Sequence, residues 1–170
     1  MKNINILRAL VFIVANIGIG SPVYAICKMA VTQAAPVLLD EVDFGSSGHR
    51  DNDSYFYDAA ITFQGKSGKL YITTTIVELP YTGIHPAADE KRNGHLTFIF
   101  NDSEQLLVEG IGSYQSGSLY MKADSPVVRA VVGGTGRFMF ARGQVVTTRN
   151  NDGSYTHQFV LDMRRNSCGP

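Results

Sequence analysis

The sequence predicts an all-β fold of eight or nine short strands, arranged as a sandwich or a closed barrel. Three observations carry that prediction. Apolar residues recur at every second position through most of residues 54–165, the period at which strand side chains share one face. Turn-forming clusters separate these stretches at a spacing of about 8–12 residues. Between them no stretch has a helical period. Composition agrees: glycine accounts for 17 of 170 residues, above the usual share of about 7%. With 8 Tyr, 9 Phe and no Trp, it suits aromatic-rich strands joined by tight turns.

Residues 1–25 read as a signal peptide. Lys2 and Arg8 supply a positive start, and from Ala9 to Gly20 the only polar residue is Asn16. Ser21-Pro22 breaks any helix, and Val23-Tyr24-Ala25 offers small residues for cleavage. The apolar run falls short of the ~20 residues that a membrane helix needs. A retained anchor is the alternative. The expected location is secreted or periplasmic, with no membrane attachment after cleavage. Whole, the chain carries 15 basic and 15 acidic residues, and loss of residues 1–25 leaves a net charge of −2. Such a balance argues against nucleic acid or an anionic surface as partner.

Residues 26–53 read as an N-terminal extension with loops and one possible strand at Val37–Val42. Residues 54–168 form the barrel or sandwich domain. Its first strand places Tyr55, Tyr57, Ala59, Ile61 and Phe63 on one face. A turn at Gly65–Gly68 leads to Leu70–Val77, which is apolar on both faces. A long loop follows, taken to include the charged run Asp89 to Arg92. Leu96, Phe98 and Phe100 share the next face. Leu106–Ser113, Leu119–Lys122 and Val127–Val132 continue the series. After Gly133-Gly134-Thr135-Gly136, the residues Phe138, Phe140, Arg142, Gln144 and Val146 fall on one face by alternation. Asn151-Asp152-Gly153 is a hairpin signal, and Tyr155–Met163 is the last strand.

The two cysteines, Cys27 and Cys168, stand at opposite ends of the mature chain. In an oxidising compartment the expectation is one disulfide joining the termini, worth about 4–5 kcal/mol on the chain-entropy model. Two free thiols are the alternative. No metal is expected, because neither the cysteines nor the four scattered histidines show ligand spacing. The glycines Gly133, Gly134 and Gly136 permit a tight strand connection. They do not match a phosphate-binding loop, since no Gly-Lys-Ser/Thr follows and no helix begins there.

The stretch Val131-Val132-Gly133-Gly134-Thr135-Gly136-Arg137-Phe138-Met139-Phe140-Ala141-Arg142-Gly143 resembles the signature of the dirigent proteins and the related allene oxide cyclase barrel. Ser116-Gly117-Ser118-Leu119 and Tyr55-Phe56-Tyr57-Asp58 resemble further segments of those proteins, as do the terminal cysteines and the signal peptide. The resemblance spans roughly residues 54–165. It implies an eight-stranded antiparallel β-barrel, usually trimeric, with a largely apolar lumen. It also implies a function: holding a small apolar or aromatic molecule so that one cyclisation or stereoselective coupling dominates, with no cofactor.

Arg142 and Asp58 are the catalytic candidates. Arg142 matches an arginine implicated at the dirigent active site, and a lumenal position would let it hold an oxyanion; the alternative is a rim arginine paired with a carboxylate. Asp58 matches an acidic position in the first dirigent strand; the alternative is an exposed strand-face carboxylate. Tyr55, Tyr57, Phe138 and Phe140 are the candidate substrate-binding residues. One departure stands out: Asp124 is the only acid between Glu109 and Arg142, whereas dirigent sites use more than one. Binding without catalysis, and a purely structural barrel plugged by its own side chains, are the competing functions.

Overall fold

A computed structural model describes residues 24–44, 51–78 and 89–164. Nine strands form one sheet: β1 (Tyr24–Gln33), β2 (Val37–Val42), β3 (Ser54–Phe63), β4 (Lys66–Glu78), β5 (Asp89–Asn101), β6 (Glu104–Gln115), β7 (Val127–Gly134), β8 (Arg142–Arg149) and β9 (Tyr155–Arg164). Their order is β1-β9-β8-β7-β6-β5-β4-β3-β2, and β1 also pairs with β3. That last pairing closes the sheet into an antiparallel barrel.

Nine strands fill eight positions because β1 and β2 share one. Strand β1 runs beside β9 from Tyr24↔Arg164 to Gln33↔Tyr155. It meets β3 at Thr32↔Thr62 and Gln33↔Ile61, and β2 takes over beside β3 at Val37↔Asp58. Between them the Ala34 amide donates to the Ala60 carbonyl at 2.9 Å. Pro36 has no amide hydrogen to extend the ladder, and there the chain changes course. Residues 26–42 are thus barrel wall, not an extension outside it.

Three other expectations change. Glu90 and Arg92 belong to β5, in step with Gly94, Leu96 and Phe98 on the inner face. Leu119–Lys122 is not a strand; after β6 the chain crosses one end of the barrel and touches it through the bridges Tyr114↔Met121 and Ala123↔Arg149. The alternation from Phe138 to Val146 is also interrupted. Gly136–Phe138 is a 3-10 turn, and Phe140 has a φ of 67°, so the two-residue period restarts at β8 with Val145 and Thr147 inward.

The glycine turn has a steric cause. A Cβ on Gly134 would lie 2.5 Å from the Gln105 carbonyl oxygen, and one on Gly136 would lie 2.6 Å from that of Ser103. Gly136 also has a φ of 59°, where glycine is favoured. Thr135 completes the join by donating its hydroxyl to the Ser103 carbonyl at 2.8 Å.

The interior divides along the barrel axis. One half is packed solid by Ile61, Leu70, Phe98, Leu106, Phe138, Phe159, Leu161 and neighbours. Phe98 and Phe159 meet edge to face with centroids 5.2 Å apart, a favoured aromatic geometry. In the other half the inward positions carry Gln33, Thr74, Glu90, Arg92, Arg129, Thr147 and His157, all buried.

Candidate functional site

The polar half contains a small, partly open cavity of about 30 Å³. Its walls combine Tyr57, Ile72, Leu96, Tyr114 and Tyr155 with Gln33, Thr74, Arg129, Thr147 and His157, and Leu119, Tyr120 and Met121 cover it. An apolar wall with a few convergent polar groups is the usual make-up of a small-molecule site.

Two buried arginines sit in this half, and their environments differ. Arg92 is completely enclosed. Its guanidinium pairs with Glu90, donates to the Ser118 carbonyl at 2.6 Å, and lies 4.6 Å from the Tyr55 ring centre and 4.4 Å from that of Tyr114. Its charge is answered by an ion pair and two aromatic faces, as a buried cation requires.

Arg129 is 3% exposed. Its Nη2 donates to the Tyr114 hydroxyl at a long 3.5 Å, while Nε and Nη1 have no acceptor. Among the described residues no carboxylate forms an ion pair with it. Three glycines make room for it. A Cβ on Gly112 would lie 2.4 Å from Nη2, one on Gly110 would lie 3.3 Å from Cγ, and one on Gly94 would lie 3.4 Å from Nε. Gly94 and Gly110 face each other across β5 and β6, so the side chain lies along a trough without side chains of its own.

His157 lies beside this trough. Burial, with the positive charge of Arg129 adding to it, pulls the imidazole down to about 3, so the ring is neutral at physiological pH. Its Nε2 is 2.7 Å from the Gln33 Oε1, and its Nδ1 is 3.0 Å from the Thr147 Oγ1. A neutral ring facing a carbonyl oxygen places its hydrogen on Nε2. The Thr147 hydroxyl then donates to Nδ1, and the Gln33 amide nitrogen is left with no acceptor.

The cover is tied to the barrel interior. The Tyr57 hydroxyl donates to the Leu119 carbonyl at 2.8 Å, next to the bond from Arg92 to Ser118. Burial pushes the Tyr57 phenol well above its usual range and Tyr155 up to about 12. Both remain protonated donors.

Of the residues singled out in the sequence, Tyr57 lines this cavity and Tyr55 packs on Arg92. Phe138 is buried in the apolar half, with its ring centre 5.0 Å from that of Phe100. Phe140 is half exposed. Arg142 is not in the lumen: it is exposed and donates to the carbonyl of its own neighbour, Ala141, at 2.9 Å. The restart of the strand period after Phe140 puts it outside. Asp58 is also on the outer face, 2.9 Å from Lys69, and the hydrogen bond raises the Lys69 amine above its usual value. Gly133, Gly134 and Gly136 lie at the connection between β7 and the 3-10 turn. Cys27 is buried in the apolar half; Cys168 lies outside the described residues, and so does any account of its pairing. Among the described residues no three His, Cys, Asp or Glu side chains gather as metal ligands.

Glu90, Arg92, Arg129, His157, Gln33, Thr74 and Thr147 are not among the candidates the sequence supplies; Glu90 and Arg92 read there as loop charges and His157 as a scattered histidine. A signal was present for three of them. Arg129 is the inward residue between Val127 and Val131, His157 the one between Tyr155 and Phe159, and Arg92 stands two residues before Gly94 on the Leu96–Phe98 face.

No family model matches the sequence, and no curated protein matches it. Solved structures do match. A pyocyanin demethylase superposes with a TM-score of 0.57 at 15% identity, over 81% of this chain and 99% of that one. A pterocarpan synthase dirigent protein gives 0.57 at 15% identity, over 84% and 92%. The chain has the allene oxide cyclase/dirigent barrel fold. The Diels–Alderase AbmU from Streptomyces koyangensis shares it too, with a TM-score of 0.56 at 16% identity over 89% and 74%. These barrels have different named activities, so the fold is common ground and the lining decides the chemistry.

Proposed function

We propose that this barrel binds a small organic molecule with an apolar or aromatic body in its polar half and steers a ring closure or stereoselective coupling of it. The observation that carries this is the cavity itself: a barrel plugged at one end keeps a tyrosine-lined, covered space at the other. Such a site restricts conformers and excludes water, and phenols and amides orient the reacting atoms. The names of the solved relatives, a demethylase, a dirigent protein and a Diels–Alderase, support small-molecule chemistry in this architecture.

We extend the reading to an exported protein with a Cys27–Cys168 bridge, on the N-terminal pattern and the placement of the two cysteines, and to a trimer. Ile26, Val37, Leu39, Ile111 and Val128 are exposed on the outer wall and offer apolar surface to a neighbouring copy.

A carrier without catalysis is the second reading. It is favoured by Glu90, whose carboxylate is committed to Arg92. Native mass spectrometry of protein from its own host should show a non-covalently held small molecule. Ile72→Trp, which fills the cavity, should release it. Ligand retained in the filled variant, or protein empty at every concentration, rejects both readings. A chemical change in the molecule during incubation with wild-type protein, absent with Ile72→Trp, selects the first.

A further inference from the structure

We infer that the ligand is an organic acid whose carboxylate is held by Arg129 and the Gln33 amide. The inference rests on the ligand-binding reading above and deepens it. A guanidinium that is 3% exposed has lost most of its hydration, and a cation there is costly unless an anion or several acceptors replace the water. Arg92, a few residues away along the inner wall, shows how this barrel answers such a charge when the answer is internal: Glu90 and two rings surround it. Arg129 has no equivalent, and its Nε and Nη1 have no acceptor.

The unanswered charge is held in place by construction. The Gly94, Gly110 and Gly112 trough leaves space for the side chain alone, and a Cβ on Gly112 would collide with Nη2. Beside it, the relay from Thr147 through neutral His157 to Gln33 fixes the amide so that its nitrogen is the free end. Arg129 and Gln33 both line the cavity, and each has donor atoms without an acceptor. The nearby phenols remain protonated, so they compete for no positive charge. What is missing is an acceptor bearing one negative charge, on a body that suits Ile72, Leu96 and the tyrosine rings. A monocarboxylate meets that description, and charge-assisted hydrogen bonds to guanidinium are among the strong ones.

Matched pairs of acids and their neutral amides test this: cinnamate against cinnamamide and 2-naphthoate against 2-naphthamide, titrated by calorimetry into the full mature protein. The acid of at least one pair should bind about tenfold more tightly than its amide, the ratio equivalent to ~1.4 kcal/mol. Arg129→Gln should abolish that preference while amide binding persists, and Arg129→Lys should retain part of it. Thermal unfolding supplies an independent readout. In the absence of ligand, Arg129→Met should leave Tm unchanged or raise it, since it removes a charge without a partner. Equal binding of acid and amide by wild type, a preference that survives Arg129→Gln, or a lowered Tm in Arg129→Met overturns the carboxylate assignment and leaves the ligand-binding reading standing. No binding by any of the four compounds sinks both.

Discussion

The two halves of the barrel interior are built on the same strands, yet they solve different problems. In β9, Tyr155 and His157 face the cavity half, whereas Phe159 and Leu161 belong to the plug. In β5, Glu90 and Arg92 precede Leu96 and Phe98 along one inner row. The plug has carbon against carbon and needs no pairing. The cavity half has cations, amides and phenols whose partners must be supplied one by one. Apolar packing therefore concentrates in the plug, and polar groups without an acceptor concentrate in the cavity half.

That division is most severely tested by acid. His157 titrates near 6.5 in the unfolded chain and at about 3 when folded. The unfolded state thus binds more protons between those values, and stability falls as pH falls. The contribution is fully present above pH 6.5 and is lost progressively towards pH 3. Its full span is about 4–5 kcal/mol, at 1.36 kcal/mol per pH unit. Urea unfolding at pH 7.5 and pH 4.5 should show a steeper loss for wild type than for His157→Gln. Equal slopes would place the acid sensitivity of the cavity half on its carboxylates instead.

Truncation in the plug comes next. Phe159→Ala should cost about 3–5 kcal/mol in urea unfolding and leave the acid-over-amide preference of the cavity unchanged. A changed preference would mean that the two halves are mechanically coupled.

Smaller is Tyr57→Phe, which removes the bond to the Leu119 carbonyl. It should cost about 1 kcal/mol of stability but speed ligand release by more than it slows binding, in stopped-flow measurements, because the bond holds the cover. The smallest effects belong to the outer wall. Asp58→Asn and Arg142→Ala should leave both the urea midpoint and ligand binding at wild-type values. Loss of binding in either variant would show that the wall reaches the cavity.

The walls of this barrel were legible in the sequence because period-2 patterning reports directly on which side chains are covered. Tyr55 and Tyr57 were found that way. Strand β1 was not, although Cys27, Met29, Val31 and Gln33 alternate inward. Its start overlaps the presumed export signal, and Gln33 is not an apolar marker. Arg142 was misplaced because a pattern of alternation cannot register a 3-10 turn and one left-handed residue. Arg129 and His157 were missed for a different reason. A charged residue between two inward valines looks like an error in the pattern until the three glycines across from it are seen to leave it room. Those glycines are spread over β5 and β6, and only the pairing of the strands brings them together.

The bond between His157 and Gln33 joins residues 124 positions apart in the chain. One is on the first strand and the other on the last. On a ribosome, Gln33 emerges early and can pair with Ile61 of β3, but its side chain has no histidine partner until β9 has been made. Contacts of such sequence separation form late and slowly. This polar cluster therefore comes into being with the final seam of the barrel, and an incomplete chain has an open sheet edge in its place. Truncation that removes β9 would take away this bond while leaving the strands before it in the chain.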